Sequence, residues 1–520
     1  MNVISYFVIL LINFLMRESD SYRILGVFPL AYRSHNIFFD ALMKGLAKKG
    51  HQVDVISHYE SKNYKTVLNL SKVDFLFPGI EFDTIRAAQE FVADTVEALA
   101  GSYATHMCEL LGHEKMQDFI RNIPKDSPYD VIILEGWILN CYIGLGHILN
   151  VPIITATPSL EFPWISRQIG NPLSTAFYPN ILRIKKVQTF WDRLQNTVQA
   201  HNTIQRFFTF SEESQTEAMR KFLSPDMPNI REVEKTVALS LVNTHHTLQG
   251  ARPTTPAFIE VAGLHIEEDK SNFTKGLKRW MDESENGVIY ISFGTLVPIE
   301  SLSRTQLLEM YNSFSKIAPT RILIKAMEGK TFPPGLPKNV KTMTWIPQIP
   351  VLSHNNTRGF MTHGGVHSIQ EAVYYAVPVI GIPLFYDQRQ NVEILVNKKM
   401  AVQLNLDKFT EKSLDEAFRT ILKDPEYREA AIYHSRLFQD RPLSPMETAI
   451  FWIEYVIRNG AEPLRSPALN LYWWQIELLD VYGFLLFCLI LVFYIISIVF
   501  RNTYKIFLRK DVRLQIKKNL

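Results

Sequence analysis

The chain has 520 residues, 47% hydrophobic and 21% charged, which excludes a disordered or collagen-like chain and a stapled miniprotein. At roughly 100–200 residues per domain it holds two to four domains. Its net charge of +3 is a property of the last twenty residues, where seven basic residues face only Asp511; the rest sums to −3, so no nucleic-acid footprint is needed.

Residues 3–16 are an apolar run of 14 at the extreme N-terminus. It is too short to span a membrane and reads as the core of a signal peptide over 1–20, with cleavage near 19–22. The body alternates short apolar runs with amphipathic stretches, the mark of βαβ units and parallel sheets. Strands are predicted at 22–29 and 53–57 around a helix at 37–49 that Gly50 ends. Strands at 130–134 and 151–156 precede a charged helical segment at 180–235. A second series has strands at 288–293, 321–325, 340–345, 359–362 and 378–382, with helices at 301–317 and 367–375. The two series join around 241–269, which contains Pro253 and Pro256, and a helix at 446–458 ending at Gly460 follows.

The cysteines are Cys108, Cys141 and Cys488. No CxxC pair exists, so neither a zinc cluster nor a disulfide framework is expected; a Cys108–Cys141 bridge is compatible with the sequence, but spacing does not argue for it. Residues 481–500 are twenty uncharged, mostly apolar residues, which at ~1.5 Å rise each match a ~30 Å hydrocarbon core. Trp473 and Trp474 stand at belt position, and the basic tail over 501–520 belongs on the cytoplasmic side, a type I topology. Lys517 and Lys518 resemble a dilysine signal for return to the endoplasmic reticulum. Sequons at Asn69, Asn272 and Asn355 fall on the inferred lumenal side.

The most informative stretch runs from Phe360 to Gln388. A strand ends on His363, Gly364 and Gly365, and a helix begins. That is a phosphate site by construction: glycines let backbone N–H groups approach, and the helix N-terminus carries about half a positive charge. His363, His367 and Ser368 add donors. Glu371, one turn in, can accept both hydroxyls of a ribose. Asp387 and Gln388 follow the next strand, beside the same crevice, where sugar hydroxyls could bind. In the first series, His35 follows the first strand and precedes a helix, whose N-terminus disfavours an imidazolium and keeps the ring basic.

This run, with Trp345, Ile346, Pro347 and Gln348 upstream, resembles the signature of the UDP-glycosyltransferases, glycosyltransferase family 1. Ser292, Phe293, Gly294 and Thr295 are similar to that family's glycine turn. Asn243-Thr244 with Ala251-Arg252-Pro253 and Gly263 is similar to its connector, most like arthropod members. Residues 451–456 and 479–484 are similar to the membrane-bound animal enzymes.

The resemblance implies an α/β protein of GT-B fold, two facing Rossmann-like domains plus one C-terminal transmembrane helix. It divides the chain into an acceptor-binding domain at 21–245, a linker at 246–270 and a UDP-sugar-binding domain at 271–445. Helices that pack back and a membrane-proximal segment (446–480), the membrane helix (481–500) and the tail (501–520) follow. It implies that Trp345 and Gln348 receive uracil and that Glu371 binds ribose. Ser292, Gly294, Thr295, His363, Gly365, His367 and Ser368 would surround the diphosphate, Asp387 and Gln388 would bind the sugar, and Arg252 would close over the nucleotide. No metal or cofactor is implied beyond the UDP-sugar itself, in line with the absence of any D-x-D triplet.

His35 falls on the family's catalytic base. The acid that orients it falls on Glu135 counting from Asp130, or on Asn140 counting back from Cys141. Lys325 sits where vertebrate relatives often carry a basic residue. The expected activity is inverting, metal-independent transfer of a hexose, glucose favoured over glucuronate, from a UDP-sugar to a small lipophilic acceptor, as in detoxification by a glycoprotein of the endoplasmic reticulum membrane. A donor-binding pseudoenzyme or regulatory partner is the competing expectation, homo-oligomerisation is left open, and a type I receptor ectodomain is disfavoured by the βαβ pattern.

Overall fold

The computed structural model describes residues 21–77, 84–87, 95–124, 128–180, 187–266, 273–295, 297–385 and 387–518. The expected signal peptide and the Asn272 sequon lie outside them. The chain forms two compact units, one ending at Arg465 and one running from Ser466 to Leu520.

The first unit contains two parallel sheets. The first sheet uses β1 (Arg23–Phe28), β2 (Gln52–Ser57), β3 (Lys65–Asn69), β4 (Val131–Glu135), β5 (Ile153–Thr157), β6 (Val237–Val242) and β7 (Phe258–Glu260). Its order is β3-β2-β1-β4-β5-β6-β7. Between β1 and β2 lies α1 (Arg33–Lys49), and between β5 and β6 the long α2 (Phe190–Phe222). Helix α1 buries Phe38, Phe39, Leu42, Met43 and Leu46, spaced three and four apart. It stops at Gly50, whose φ of 108° sends the chain into the left-handed cap glycine tolerates best. Strands such as β4, VIILE, are buried throughout, as parallel strands covered on both faces must be.

The second sheet uses β8 (Val288–Ser292), β9 (Arg321–Lys325), β10 (Val340–Met343), β11 (Thr357–Thr362), β12 (Val379–Gly381) and β13 (Ala401–Gln403), ordered β10-β9-β8-β11-β12-β13. Its relevant helices are α3 (Gln348–Leu352), α4 (Val366–Tyr374) and α5 (Gln388–Asn397). Each sheet therefore reverses direction once, between β1 and β4 and between β8 and β11. In open α/β sheets those switch points open a crevice at the carboxyl ends of the strands.

Three boundaries move. Helix α1 starts at Arg33, four residues before the predicted start, because its first turn is polar and carries no apolar periodicity. The segment expected as a linker supplies β7 to the first sheet, a strand of three residues, too short for alternation to show. Among the described residues of the stretch 180–235, the helices are α2 and a short one at Ile230–Glu234. Helix α6 (Pro445–Asn459) returns to the first domain: Ala449, Ile453 and Val456 lie in its core, and Met446 packs where a Cβ on Gly45 would stand. A disulfide joins Cys108 to Cys141.

The second unit contains α7 (Leu479–Lys518), long and apolar enough to cross a membrane, with a mean hydropathy of 2.9 in its most apolar window.

Candidate active site

The first switch point places two side chains together. His35 occupies the third position of α1, just after β1, and Glu135 ends β4. Nδ1 of His35 lies 2.6 Å from Oε1 of Glu135. A carboxylate offers only lone pairs, so the imidazole proton sits on Nδ1 and the bare nitrogen is Nε2, the one able to take a proton. Tyr32 and Trp137 flank the ring, at centroid distances of 4.9 and 5.6 Å. Asn140, the other candidate, is buried and donates instead to Glu234.

The second switch point carries the glycine–histidine loop. Gly294 follows β8 with φ of 80°, a conformation that favours glycine, and its N–H donates to Ser292 Oγ at 3.4 Å. Thr295 sits beside it, half-buried. The His363 ring fills the space that side chains at 294 and 365 would need: a Cβ on Gly294 would lie 3.0 Å from Cε1, and one on Gly365 2.9 Å from Nε2. Lys325 Nζ donates to the Gly294 carbonyl at 2.7 Å, which gives that residue a bracing contact the sequence did not reveal. Enclosure, and then the Lys325 charge, lower the His363 pKa to about 4, so the ring is a neutral donor at pH 7. Enclosure also holds His367, in the first turn of α4, well below the usual imidazole range. Its Nε2 is buried without a protein partner, an orphan that a diphosphate oxygen would satisfy.

Behind the loop, Glu371 is buried and held from two sides. Gln348 Nε2 donates to its Oε2 at 2.7 Å and to Ser368 Oγ at 3.0 Å. Tyr290 donates its hydroxyl to Gln348 Oε1 at 3.2 Å. The Gln348 amide, expected on uracil, thus braces Glu371 here. Trp345 is 53% exposed, and Arg33 from the first domain lies 4.5 Å over its ring. The other side of Glu371 meets His265, which sequence reasoning missed; it stands beyond β7 with no periodicity or motif to mark it.

Asp387 precedes α5 and accepts from Asn391 Nδ2 at 2.8 Å. Burial pushes its carboxyl up to about 6. Gln388 Oε1 accepts the Leu384 and Phe385 N–H groups at 3.0 and 3.1 Å, which fixes its side chain. The two domains meet here: Phe38 lies 6.5 Å from the His367 ring, and His35 is close enough to Asp387 and His367 to act on their charge states.

The structure does not bring Arg252 to the loop. Its guanidinium pairs with buried Glu161 and stacks on Tyr178 and Phe258 at 4.3 and 4.9 Å. It lines a small cavity of about 30 Å³, with Glu161, Tyr178 and Gln390, to which neither His35 nor the glycine loop contributes.

Two Rossmann-like domains, a glycine–histidine loop on one and an imidazole–carboxylate pair on the other, are the arrangement of a GT-B glycosyltransferase. Solved structures agree on the fold. The glycosyltransferase VinC in complex with dTDP superposes with a TM-score of 0.56 at 15% identity, covering 84% of this chain and 100% of that one. The glycotransferase of kitacinnamycin gives 0.57 at 17%, covering 84% and 98%. The family model described as UDP-glucoronosyl and UDP-glucosyl transferase matches residues 26–514, and the chain belongs to that family. It is 31% identical to UDP-glycosyltransferase UGT5 of Dactylopius coccus, over 94% of each chain. It is 32% identical to UDP-glucosyltransferase 2 of the same organism, over 92% and 93%. UDP-glucuronosyltransferase 2B1 of Rattus norvegicus is 29% identical, over 91% of each. The protein is thus a transferase that moves sugar from a UDP-sugar.

Proposed function

We propose that this chain transfers glucose from UDP-glucose, with inversion and without a metal, to a hydroxyl of small lipophilic acceptors. The observation that carries the reading is the His35–Glu135 pair at 2.6 Å, set across from the glycine–histidine loop. Nε2 of His35 takes the acceptor proton as the oxygen attacks C1 of the sugar. The C1–phosphate bond breaks on the opposite face, so the configuration inverts, and UDP leaves with the bonding pair. Glu135 holds the ring and stabilises the imidazolium that forms. Backbone N–H groups at the start of α4, with neutral His363 and His367, receive the growing charge on the diphosphate, the role a metal plays elsewhere.

Support for glucose is the relative named a glucosyltransferase and the arthropod-like connector. Support for a lumenal catalytic part is the Cys108–Cys141 disulfide, a bond kept in oxidising compartments, together with α7 and its basic end. The reading places the chain in the endoplasmic reticulum membrane with a cytoplasmic tail.

The test is purified protein with UDP-glucose, UDP-glucuronate and a panel of phenols, scored by UDP release. UDP-glucose should give the fastest release, and His35→Ala should abolish it. Equal turnover by that variant would sink the mechanism, and faster release from UDP-glucuronate would reassign the sugar.

A further inference from the structure

Resting on the reading of Glu371 as the ribose site, we infer that His265 is a positioning residue that sets this carboxylate for the two ribose hydroxyls and so gives the enzyme its discrimination for a ribonucleotide donor. His265 Nε2 donates to Glu371 Oε1 at 3.1 Å, and the imidazole side chain is fully buried. Gln348 supplies the matching donor to Oε2. A carboxylate has about four lone-pair sites, two on each oxygen. His265 and Gln348 take one on each, which leaves one per oxygen. Those two remaining sites suit a vicinal diol, whose hydroxyls can each donate one hydrogen bond.

The ring orientation is fixed independently. The His367 ring packs against His265 edge-on, with centroids 4.5 Å apart at 75°. Nδ1 of His265 is buried with no hydrogen-bond partner, so no competing acceptor draws the ring proton away from Nε2. The backbone carrying His265 is pinned to the same helix: Gly263 N–H donates to Gln370 Oε1 at 2.9 Å, and Gln370 Nε2 donates to the Asn243 carbonyl at 2.9 Å. Neighbouring side chains of α4, Gln370 and Glu371, thus hold the segment that leaves β7. The ribose carboxylate is oriented by chain belonging to the crossover between domains, over one hundred residues away in sequence.

The experiment compares binding of UDP and of its 2′,3′-dideoxy analogue by calorimetry. Wild type should bind UDP about tenfold or more tighter, the usual scale for hydrogen bonds to a charged group. His265→Leu, which keeps volume and removes the N–H, should cut that ratio to about threefold or less while leaving affinity for the analogue unchanged. His265→Gln, which can still reach Glu371 with an N–H, should restore most of the ratio. The donor KM should rise in His265→Leu and return most of the way to the wild-type value in His265→Gln. If His265→Leu weakens both ligands alike, or leaves the ratio intact, the inference is wrong. Should His265→Leu not fold, a lost ratio in His265→Gln would overturn it equally. A wild type that does not distinguish the two ligands overturns the ribose reading of Glu371 itself, and that outcome is visible before any variant is made.

Discussion

Nδ1 of His35 and Oε1 of Glu135 lie 2.6 Å apart although one hundred residues separate them in the chain. The contact exists because β1 and β4 are neighbours at the switch point, so the start of the helix that follows one and the last residue of the other share an edge. Glu135→Gln keeps the shape but can donate its amide to His35 Nδ1, which selects the wrong tautomer. We expect kcat to fall about 10²–10⁴-fold with UDP affinity unchanged. Asn140→Ala is the contrast. It strips a partner from buried Glu234 and should cost about 1–3 kcal/mol of stability while sparing kcat. Steady-state UDP release and thermal melts separate the two, and the reverse pattern would make Asn140 the orienting residue.

The glycine loop makes a second expectation. Gly365 caps α4 with an ordinary negative φ of −58°, so an alanine there is not strained by its backbone; it meets the His363 ring. Gly365→Ala should weaken UDP binding about tenfold. In a His363→Ala background the same change should cost almost nothing further, because the opposing ring is gone. Calorimetry on the four proteins gives the coupling, and additive losses would mean that the glycine serves some other contact.

What could be read from the sequence follows from how each feature is written in it. The glycine–histidine loop, from His363 to Ser368, is contiguous, since strand end, glycines and helix start must be adjacent for the N–H groups to converge. The alternation of buried strands and amphipathic helices is equally local, so two α/β halves were visible. The contacts that cross between distant segments were not. Arg33 over Trp345, His265 behind Glu371 and Glu161 on Arg252 all depend on tertiary placement. Counting reached both Glu135 and Asn140, with Glu135 preferred, and the tertiary contacts give His35 to Glu135 and Asn140 to Glu234. Helix α1 hid its first turn for a related reason: that turn faces the cleft, so its residues are polar.

The Cys108–Cys141 bridge closes a stretch 33 residues long. On the chain-entropy account such a loop contributes about 3–4 kcal/mol by restricting the unfolded chain. Cys108→Ser with Cys141→Ser should therefore lower the melting temperature by several degrees. Reducing agent should do the same to wild type and leave the double variant unmoved. A wild-type melt insensitive to reductant would show that the bridge does not form.

The sugar contact proposed for Asp387 would tie recognition to pH, with a sign set by its raised carboxyl. Burial lifts its pKa from 3.8 to about 6, so the folded protein holds this proton more tightly than the unfolded chain does. Its contribution to stability is therefore greatest below pH 4 and is lost as pH rises to about 6, after which it is constant. Recognition runs the other way, because only the ionised carboxylate accepts strong hydrogen bonds from sugar hydroxyls. The preference for UDP-glucose over UDP should be full above about pH 6.5. It should shrink as pH falls through 6, by about tenfold or more. Asp387→Asn should show a weak, pH-independent preference and, at pH 7, a higher melting temperature than wild type. That gain should shrink towards pH 4 and vanish only well below 3.8, where the wild-type carboxyl is protonated in both states. Melts and calorimetry between pH 4 and 8 check both halves, and an Asp387→Asn variant less stable than wild type at pH 7 would show that the carboxylate is held there by favourable contacts rather than at a cost to folding.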